Sequence, residues 1–135
     1  MTVGDSPPQL VVVEDDAGLR VAMMRMLRAA GWRVLGYDSA EALLDALAPQ
    51  GSLSMAELKC LVLDLCLPGL SGFELLSRLH AAGFQPQAIL ITAQDDPSVR
   101  QRAKSVGACA YLAKPFTGNA LVAAVSDATR AAGGP

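Results

Sequence analysis

The sequence is poor in the residues that build disulfide frameworks and zinc sites. Its 135 residues include three cysteines, Cys60, Cys66 and Cys109, and one histidine, His80. The cysteines are odd in number and show neither a CxxC nor a Cys/His spacing, which argues against a disulfide framework or a structural zinc site. We therefore expect reduced thiols in an intracellular, cytoplasmic protein. His80 has no sequence partner for a metal or a catalytic triad, and a plain surface histidine is the simpler interpretation.

Long hydrophobic runs and runs of one charge are also missing. No apolar stretch approaches the roughly 18–20 residues of a membrane span. The first eight residues lack the basic and apolar segments of a signal peptide, and we expect them to form a flexible leader. The net charge is −2 without a basic cluster, so the composition gives no indication of direct binding to nucleic acid or to a membrane.

The residues that are abundant are aliphatic. Apolar residues make up 52% of the chain and aromatic residues only 4%, so aliphatic side chains must fill the core. A chain of 135 residues forms one domain with a core that needs neither disulfides nor metal. We expect this domain to cover 9–130, with 131–135 as a C-terminal tail or the start of a linker.

Short apolar segments alternate with segments of helical periodicity. The predicted strands are 9–13, 32–37, a run ending at 64, 87–92 and 110–113. Helices are predicted at 17–30, 40–48, 71–82, 97–106 and from 117 or 118 onward, with an extra helical turn at 55–58. This alternation is typical of parallel βαβ units. We expect an α/β fold of the flavodoxin-like type, a doubly wound five-stranded parallel sheet with strand order 2-1-3-4-5.

The middle strand carries a single carboxylate at its end. Four apolar residues, Cys60 to Leu63, run into Asp64, and the chain then breaks at Pro68-Gly69. A short apolar run ended by turn residues is typical of a strand buried on both faces. Taken alone, Asp64 could be a ligand-binding residue at a sheet crevice or a residue that caps the following turn.

Polar residues follow the other predicted strands in the same way. Glu14 and Asp15 follow the first strand, Thr92 ends the fourth, and Lys114 follows the fifth. Parallel strands bring these ends to one edge of the sheet, which collects three carboxylates, a hydroxyl and an ammonium group. Hard oxygen ligands without histidine or cysteine suit Mg²⁺, and a lysine and a threonine can bind phosphoryl oxygens. We therefore predict a site for phosphoryl transfer with Asp64 as a carboxylate nucleophile.

These residues match a known family. Glu14-Asp15, Asp64 with Leu67-Pro68-Gly69-Leu70-Ser71-Gly72, Ile91-Thr92-Ala93 and Lys114-Pro115-Phe116 resemble the receiver domain of two-component response regulators. The match covers about 9–129 in the right order and spacing. The context of the Thr-Ala and Lys-Pro-Phe-Thr motifs is similar to receivers that precede a helix-turn-helix output domain.

The resemblance implies a role for each residue. Asp64 would accept a phosphoryl group from the histidine of a sensor kinase or a phosphotransfer domain, and the domain would be a signalling module and not an enzyme. Glu14, Asp15, Asp64 and the backbone carbonyl of Cys66 would hold Mg²⁺. Thr92 and Lys114 would bind the phosphate, and the Lys114-Pro115 bond is usually cis in this family.

The resemblance also implies a conformational switch. Thr92 and Tyr111 would move together on phosphorylation and remodel the face formed by helix four, strand five and helix five. That face could also form a homodimer. DNA would be bound only through an output domain that this chain does not include. Arg20, Met24 and Arg28 share one side of helix one, either as a solvated face or as a docking surface for the kinase.

Two other functions remain open on sequence grounds. A Mg²⁺-dependent phosphatase with an aspartyl-phosphate intermediate usually has a second Asp two residues after the nucleophile, where this chain has Cys66. An interaction module that keeps the fold without the chemistry would not need the complete set of site residues. Two departures from the family pattern are the Glu-Asp acidic pair and the residues Cys66 and Gln94, which occupy positions that tune phosphate lifetime.

Overall fold

The computed structural model describes residues 9–133, so the predicted leader at 1–8 and the last two residues of the predicted tail lie outside the described residues. The strands are β1 (Gln9–Val13), β2 (Arg33–Tyr37), β3 (Leu58–Asp64), β4 (Gln87–Thr92) and β5 (Ala110–Ala113). The helices are α1 (Ala17–Ala29), α2 (Ala40–Leu47), α3 (Gly72–Ala81), α4 (Pro97–Ser105) and α5 (Gly118–Gly133), and a 3-10 turn at Met55–Glu57 precedes β3.

Within this range the strands form one parallel sheet in the order β2-β1-β3-β4-β5. The predicted α/β fold and its strand order are confirmed. In the central part of the sheet Val13 lies opposite Leu63, and Asp64 lies opposite Ile91. All strands therefore end at the same side of the sheet, which we call the carboxyl edge.

Helices cover both faces of the sheet. Along β1, Val11 and Val13 contact the core shared with α2, α3 and α4, whereas Leu10 and Val12 contact the core shared with α1 and α5. All four side chains are fully buried. Full burial of an aliphatic side chain contributes about 1.5–3 kcal/mol to the stability of the fold. The packed core on both faces of the sheet therefore holds the polar ends of the strands in place.

Side chains cap the N-termini of several helices. Ser39 accepts a hydrogen bond from the amide of Ala42, and Asp96 accepts one from Val99 directly before Pro97 at the first helical position. Asp16 caps α1 by accepting from the amide of Leu19. These caps satisfy amides that the first turn of a helix leaves without partners. Each of these residues lies directly before the helix that it caps.

The side of α1 that carries Arg20 and Arg28 does not simply face solvent. The guanidinium of Arg28 donates to the backbone carbonyl of Val34 in the edge strand β2 (2.8 Å), and that of Arg20 donates to the carbonyl of Glu14 (2.8 Å). Met24, between them on the helix, packs against the core beneath α1. This side therefore contacts backbone carbonyls of β2 and of the residue after β1, while Arg28 itself remains exposed.

Residues 9–133 contain no helix that combines the length and the apolar character required to cross a lipid bilayer.

Candidate functional site

The carboxyl edge brings the predicted polar residues together. The amide of Glu14 donates to Tyr37 O (3.1 Å) just past the end of β1, and the amide of Lys114 donates to Thr92 O (2.8 Å) just past the end of β5. The amide of Leu65 donates to Ile91 O (2.9 Å) and continues the ladder beyond Asp64. These backbone hydrogen bonds extend the sheet by one residue beyond β1, β3 and β5. They fix the backbone positions from which the polar side chains project.

Asp64 is held at both carboxylate oxygens. Its Oδ1 accepts a hydrogen bond from the amide of Cys66 (2.9 Å), and its Oδ2 accepts one from Nζ of Lys114 (2.9 Å). The residue is only 2% exposed. A buried carboxylate requires such partners, because burial without them is costly.

Glu14 shares the same ammonium group. Its Oε1 lies 2.8 Å from Nζ of Lys114, and its Oε2 accepts a hydrogen bond from the amide of Asp16 (3.1 Å). The pKa of Glu14 is raised to about 7: burial and the nearby Asp64 raise it, and the bonds from Lys114 and the Asp16 amide oppose the shift. Partial burial alone would lower the pKa of Lys114, but its contacts with the two carboxylates raise it above its ordinary value. The lysine therefore stays charged between them.

Three carboxylates converge at this edge. Glu14, Asp15 and Asp64 each offer an oxygen atom, and these atoms lie within 4.8 Å of one another. Glu14 and Asp64 are buried, while Asp15 is exposed and leaves the cluster open to solvent. One ammonium group offsets only part of the charge of three carboxylates. The donor set is hard oxygen throughout, which fits a small divalent cation such as Mg²⁺.

Thr92, Cys66 and Gln94 lie next to one another beside the acidic cluster. The hydroxyl of Thr92, in a residue that is 1% exposed, accepts a hydrogen bond from the amide of Gln94 (3.0 Å). The thiol sulfur of Cys66 lies 3.8 Å from Thr92 Oγ1, and Cys66 itself is exposed. The exposed thiol is therefore a direct neighbour of the Thr92 hydroxyl.

Tyr111 has partners that the sequence did not suggest. Its hydroxyl donates to Oδ1 of Asp95 (3.1 Å), and the guanidinium of Arg100 lies 4.8 Å from the centre of its ring. Arg100 also forms an ion pair with Asp95 at 2.8 Å. Tyr111, the predicted switch residue, is therefore held against the start of α4.

The Lys114-Pro115 peptide beyond β5 is cis, as the resemblance implied.

Asp95 and Glu41 contact Tyr111 and the loop after Asp64, and the sequence gives no sign of either contact. Asp95 lies in the loop before α4, and Glu41 lies in the first turn of α2. Glu41 accepts a hydrogen bond from the amide of Leu70 (2.9 Å), in the loop that follows Asp64. Contacts between segments 16 or 29 residues apart carry no local or periodic signal.

The fold and the site define a class: a doubly wound parallel α/β domain with an acidic cluster and a lysine at its carboxyl edge. The family model of the response regulator receiver domain matches residues 10–126. The chain belongs to the response regulator receiver domain family. Receiver domains are signalling domains of two-component systems.

Similar proteins are regulators. The transcriptional regulatory protein FixJ of Azorhizobium caulinodans is 36% identical over 84% of this chain and 51% of its own length. Nodulation protein W of Bradyrhizobium diazoefficiens is 36% identical over 87% of this chain and 49% of its own length. The chain therefore spans about half the length of the curated relatives it matches.

Solved receiver structures have the same architecture. The crystal structure of a response regulator receiver protein from Burkholderia phymatum is 38% identical, with a TM-score of 0.77 over 90% of this chain and 94% of that one. A receiver domain from Methanospirillum hungatei is 21% identical with a TM-score of 0.80, which supports the fold alone.

Proposed function

We propose that this chain is the phosphoacceptor domain of a two-component phosphorelay, in which Asp64 takes a phosphoryl group from a histidine of a sensor kinase or a phosphotransfer domain. The observation that carries this proposal is the setting of Asp64. It is a buried carboxylate at the end of the middle strand, with one oxygen on a lysine and two further carboxylates beside it.

The transfer step requires Asp64 to act as the nucleophile. One carboxylate oxygen of Asp64 forms a bond to phosphorus, and the bond from phosphorus to the imidazole nitrogen of the donor histidine breaks. The imidazole keeps the electron pair of that bond and then takes up a proton. Positioning and charge neutralisation supply most of the catalysis in phosphoryl transfer, so the groups around Asp64 matter more than any further nucleophile.

The other site residues provide that neutralisation. Glu14, Asp15, Asp64 and the backbone carbonyl of Cys66 would hold Mg²⁺, which when bound offsets the negative charge of the phosphoryl group. Lys114 carries a fixed positive charge against Asp64 and can pair with a phosphoryl oxygen. The hydroxyl of Thr92 can donate a hydrogen bond to another phosphoryl oxygen.

Phosphorylation would act on the rest of the domain through Thr92 and Tyr111. Aspartyl phosphate adds negative charge and new acceptor oxygens, and contacts made only in the phosphorylated state shift a two-state equilibrium. Thr92 would turn toward the phosphate and Tyr111 would leave its contacts with Asp95, which changes the surface of α4, β5 and α5. That surface is the proposed site for a homodimer, and a longer protein would pass the signal to a DNA-binding output domain.

Intact-mass measurement with acetyl phosphate and Mg²⁺ tests this function. We expect a stable gain of one phosphoryl group per chain, lost in Asp64→Asn and kept in Asp45→Asn, an exposed carboxylate on α2. Steady release of phosphate over many turnovers would instead identify a phosphatase. A folded protein without any labelling would identify an interaction module, and either result would overturn the proposal.

A further inference from the structure

Glu41, in the first turn of α2, contacts the loop that follows the phosphoacceptor residue. Its Oε2 accepts a hydrogen bond from the backbone amide of Leu70 at 2.9 Å. Glu41 and Leu70 are 29 positions apart in the sequence. Leu70 lies in the loop 65–71 between β3 and α3, so this hydrogen bond connects the loop to α2. The acceptor is a carboxylate, so this is a charge-assisted hydrogen bond of the stronger kind.

Gly69 makes room for this carboxylate. A Cβ atom at Gly69 would collide with Oε2 of Glu41 and would lie 3.1 Å from its Cδ. Gly69 also has a φ of +73°, a backbone conformation that side chains rarely adopt. The backbone of the loop therefore approaches the Glu41 carboxylate closely, because residue 69 has no side chain.

The loop in turn holds Asp64. The amide of Cys66, at the start of the loop, donates to Asp64 Oδ1 at 2.9 Å. Among the described residues, three side chains accept hydrogen bonds from backbone amides between Cys66 and Ser71, namely those of Asp64, Glu41 and Glu74. Asp64 and Glu74 flank the loop in the sequence. Of these three acceptors, Glu41 is the one that lies far from the loop in the sequence, on α2.

We propose that Glu41 is a positioning residue for the metal site: by anchoring the loop at Leu70 it keeps the Cys66 backbone against Asp64 and thereby raises the affinity for Mg²⁺. This inference rests on the proposed function, since it concerns the same site. Glu41 does not touch the acidic cluster, and it acts only through the loop.

Three substitutions separate the hydrogen bond from the charge. Glu41→Ala removes both. Glu41→Asp keeps the charge but withdraws the carboxylate by one methylene, and Glu41→Gln removes the charge but keeps an acceptor oxygen at the same reach. Glu57→Ala is the matched control, because Glu57 is an exposed carboxylate that accepts a backbone hydrogen bond from Ser54 in a different loop, at 3.0 Å.

Isothermal titration of the metal-free protein with MgCl₂ measures the predicted effect. We expect Glu41→Ala and Glu41→Asp to raise the dissociation constant about three- to tenfold, as for the loss of one good hydrogen bond. Glu41→Gln should keep most of the affinity, and Glu57→Ala should match the wild type. Hydrogen exchange without metal should show faster exchange at the amides of Leu70 and Cys66 in Glu41→Ala.

The rate of labelling by acetyl phosphate gives the second readout. At saturating Mg²⁺ the Glu41→Ala protein should be labelled at the wild-type rate, and only the Mg²⁺ concentration needed for half the maximal rate should rise. A depressed maximal rate, or an unchanged Mg²⁺ dissociation constant, would overturn the inference. If the wild type itself neither binds Mg²⁺ nor accepts phosphate, the proposed function fails, whereas a functional wild type with an equally functional Glu41→Ala variant refutes only the role of Glu41.

Discussion

At the scale of single residues, Glu14 is a carboxyl group whose ionisation depends strongly on its surroundings. Burial, with a smaller effect of the Asp64 carboxylate, raises its pKa from 4.5 to about 7. A carboxyl group with a raised pKa binds a proton more tightly in the folded protein than in the unfolded chain. Its contribution to stability is therefore complete below pH 4.5 and is lost as the pH rises through about 7.

We predict that the metal-free protein loses stability between pH 5 and pH 8. The free energy of unfolding in EDTA should fall by about 1–3 kcal/mol across this window, since each unit of pKa shift corresponds to about 1.4 kcal/mol. The carboxylates with lowered pKa values, Glu41, Glu57, Glu74 and Asp96, titrate below this window and do not mask the effect. Urea unfolding followed by circular dichroism at several pH values provides the measurement.

Glu14→Gln supplies the control for this pH dependence. An amide does not titrate, so the variant should have a flat profile between pH 5 and pH 8 in EDTA. Excess Mg²⁺ should reduce the fall in the wild type, because a cation stabilises the charged carboxylate. Parallel profiles for the two proteins would show that Glu14 is not the group responsible.

At the scale of elements, the junction between β3 and α3 is the tightest part of the site. Gly72 is the first residue of α3 and is buried. A Cβ atom there would lie 2.7 Å from the carbonyl oxygen of Asp64 and 2.9 Å from Cα of Leu65. These are backbone atoms that cannot move aside without displacing the end of β3 itself.

We predict that Gly72→Ala destabilises the domain by about 1–3 kcal/mol, the usual cost of forcing extra volume into a packed region. Gly18→Ala, in the first turn of α1, is the matched substitution, because its nearest atom is Asp16 Oδ1 at 3.4 Å. It should stabilise the protein by about 0.5–1 kcal/mol, as alanine does in an open helical position. Denaturant midpoints of both variants test this pair, and equal effects would contradict it.

Most helices and strands could be predicted because their signals are local, whereas some contacts have no local signal. Turn and cap residues such as Ser39 and Asp96-Pro97 act within a few positions, and the bounds of β4 and β5 match the predicted 87–92 and 110–113. The prediction was wrong at Leu58, which begins β3 and does not end the preceding helical turn. Leu58 is 2% exposed, and its burial in the core outweighs the local helical signal.

Site residues divide in the same way. Glu14, Asp15, Asp64, Thr92 and Lys114 could be grouped from the sequence, because parallel strands must end at one edge. The pairing of Tyr111 with Asp95, and of Glu41 with Leu70, depends on how loops approach in three dimensions. No spacing rule connects those positions.

At the scale of the whole molecule, the three thiols report on different parts of the structure. Cys60 is fully buried in the middle strand, and burial, with a smaller effect of Cys109, raises its pKa to about 12. Cys66 and Cys109 are exposed. A thiol reacts through its thiolate, so both burial and the raised pKa protect Cys60.

We predict that the native protein reacts rapidly at Cys66 and Cys109, and that Cys60 reacts only when the sheet opens. Ellman's reagent should count two thiols at pH 8 in buffer and three in urea. Because β3 lies in the interior of the sheet, the slow rate at Cys60 should follow global unfolding and should fall further in Mg²⁺. Rapid reaction of all three thiols in buffer would show that the sheet opens locally at β3.

The hydrogen bond from Arg28 to Val34 has a consequence for self-association. The outermost strand of an open sheet can recruit a strand from another molecule, which is a common route to aggregates. The guanidinium of Arg28 occupies a carbonyl of β2 that such a strand would need. We therefore expect this edge of the sheet to resist growth into fibrils.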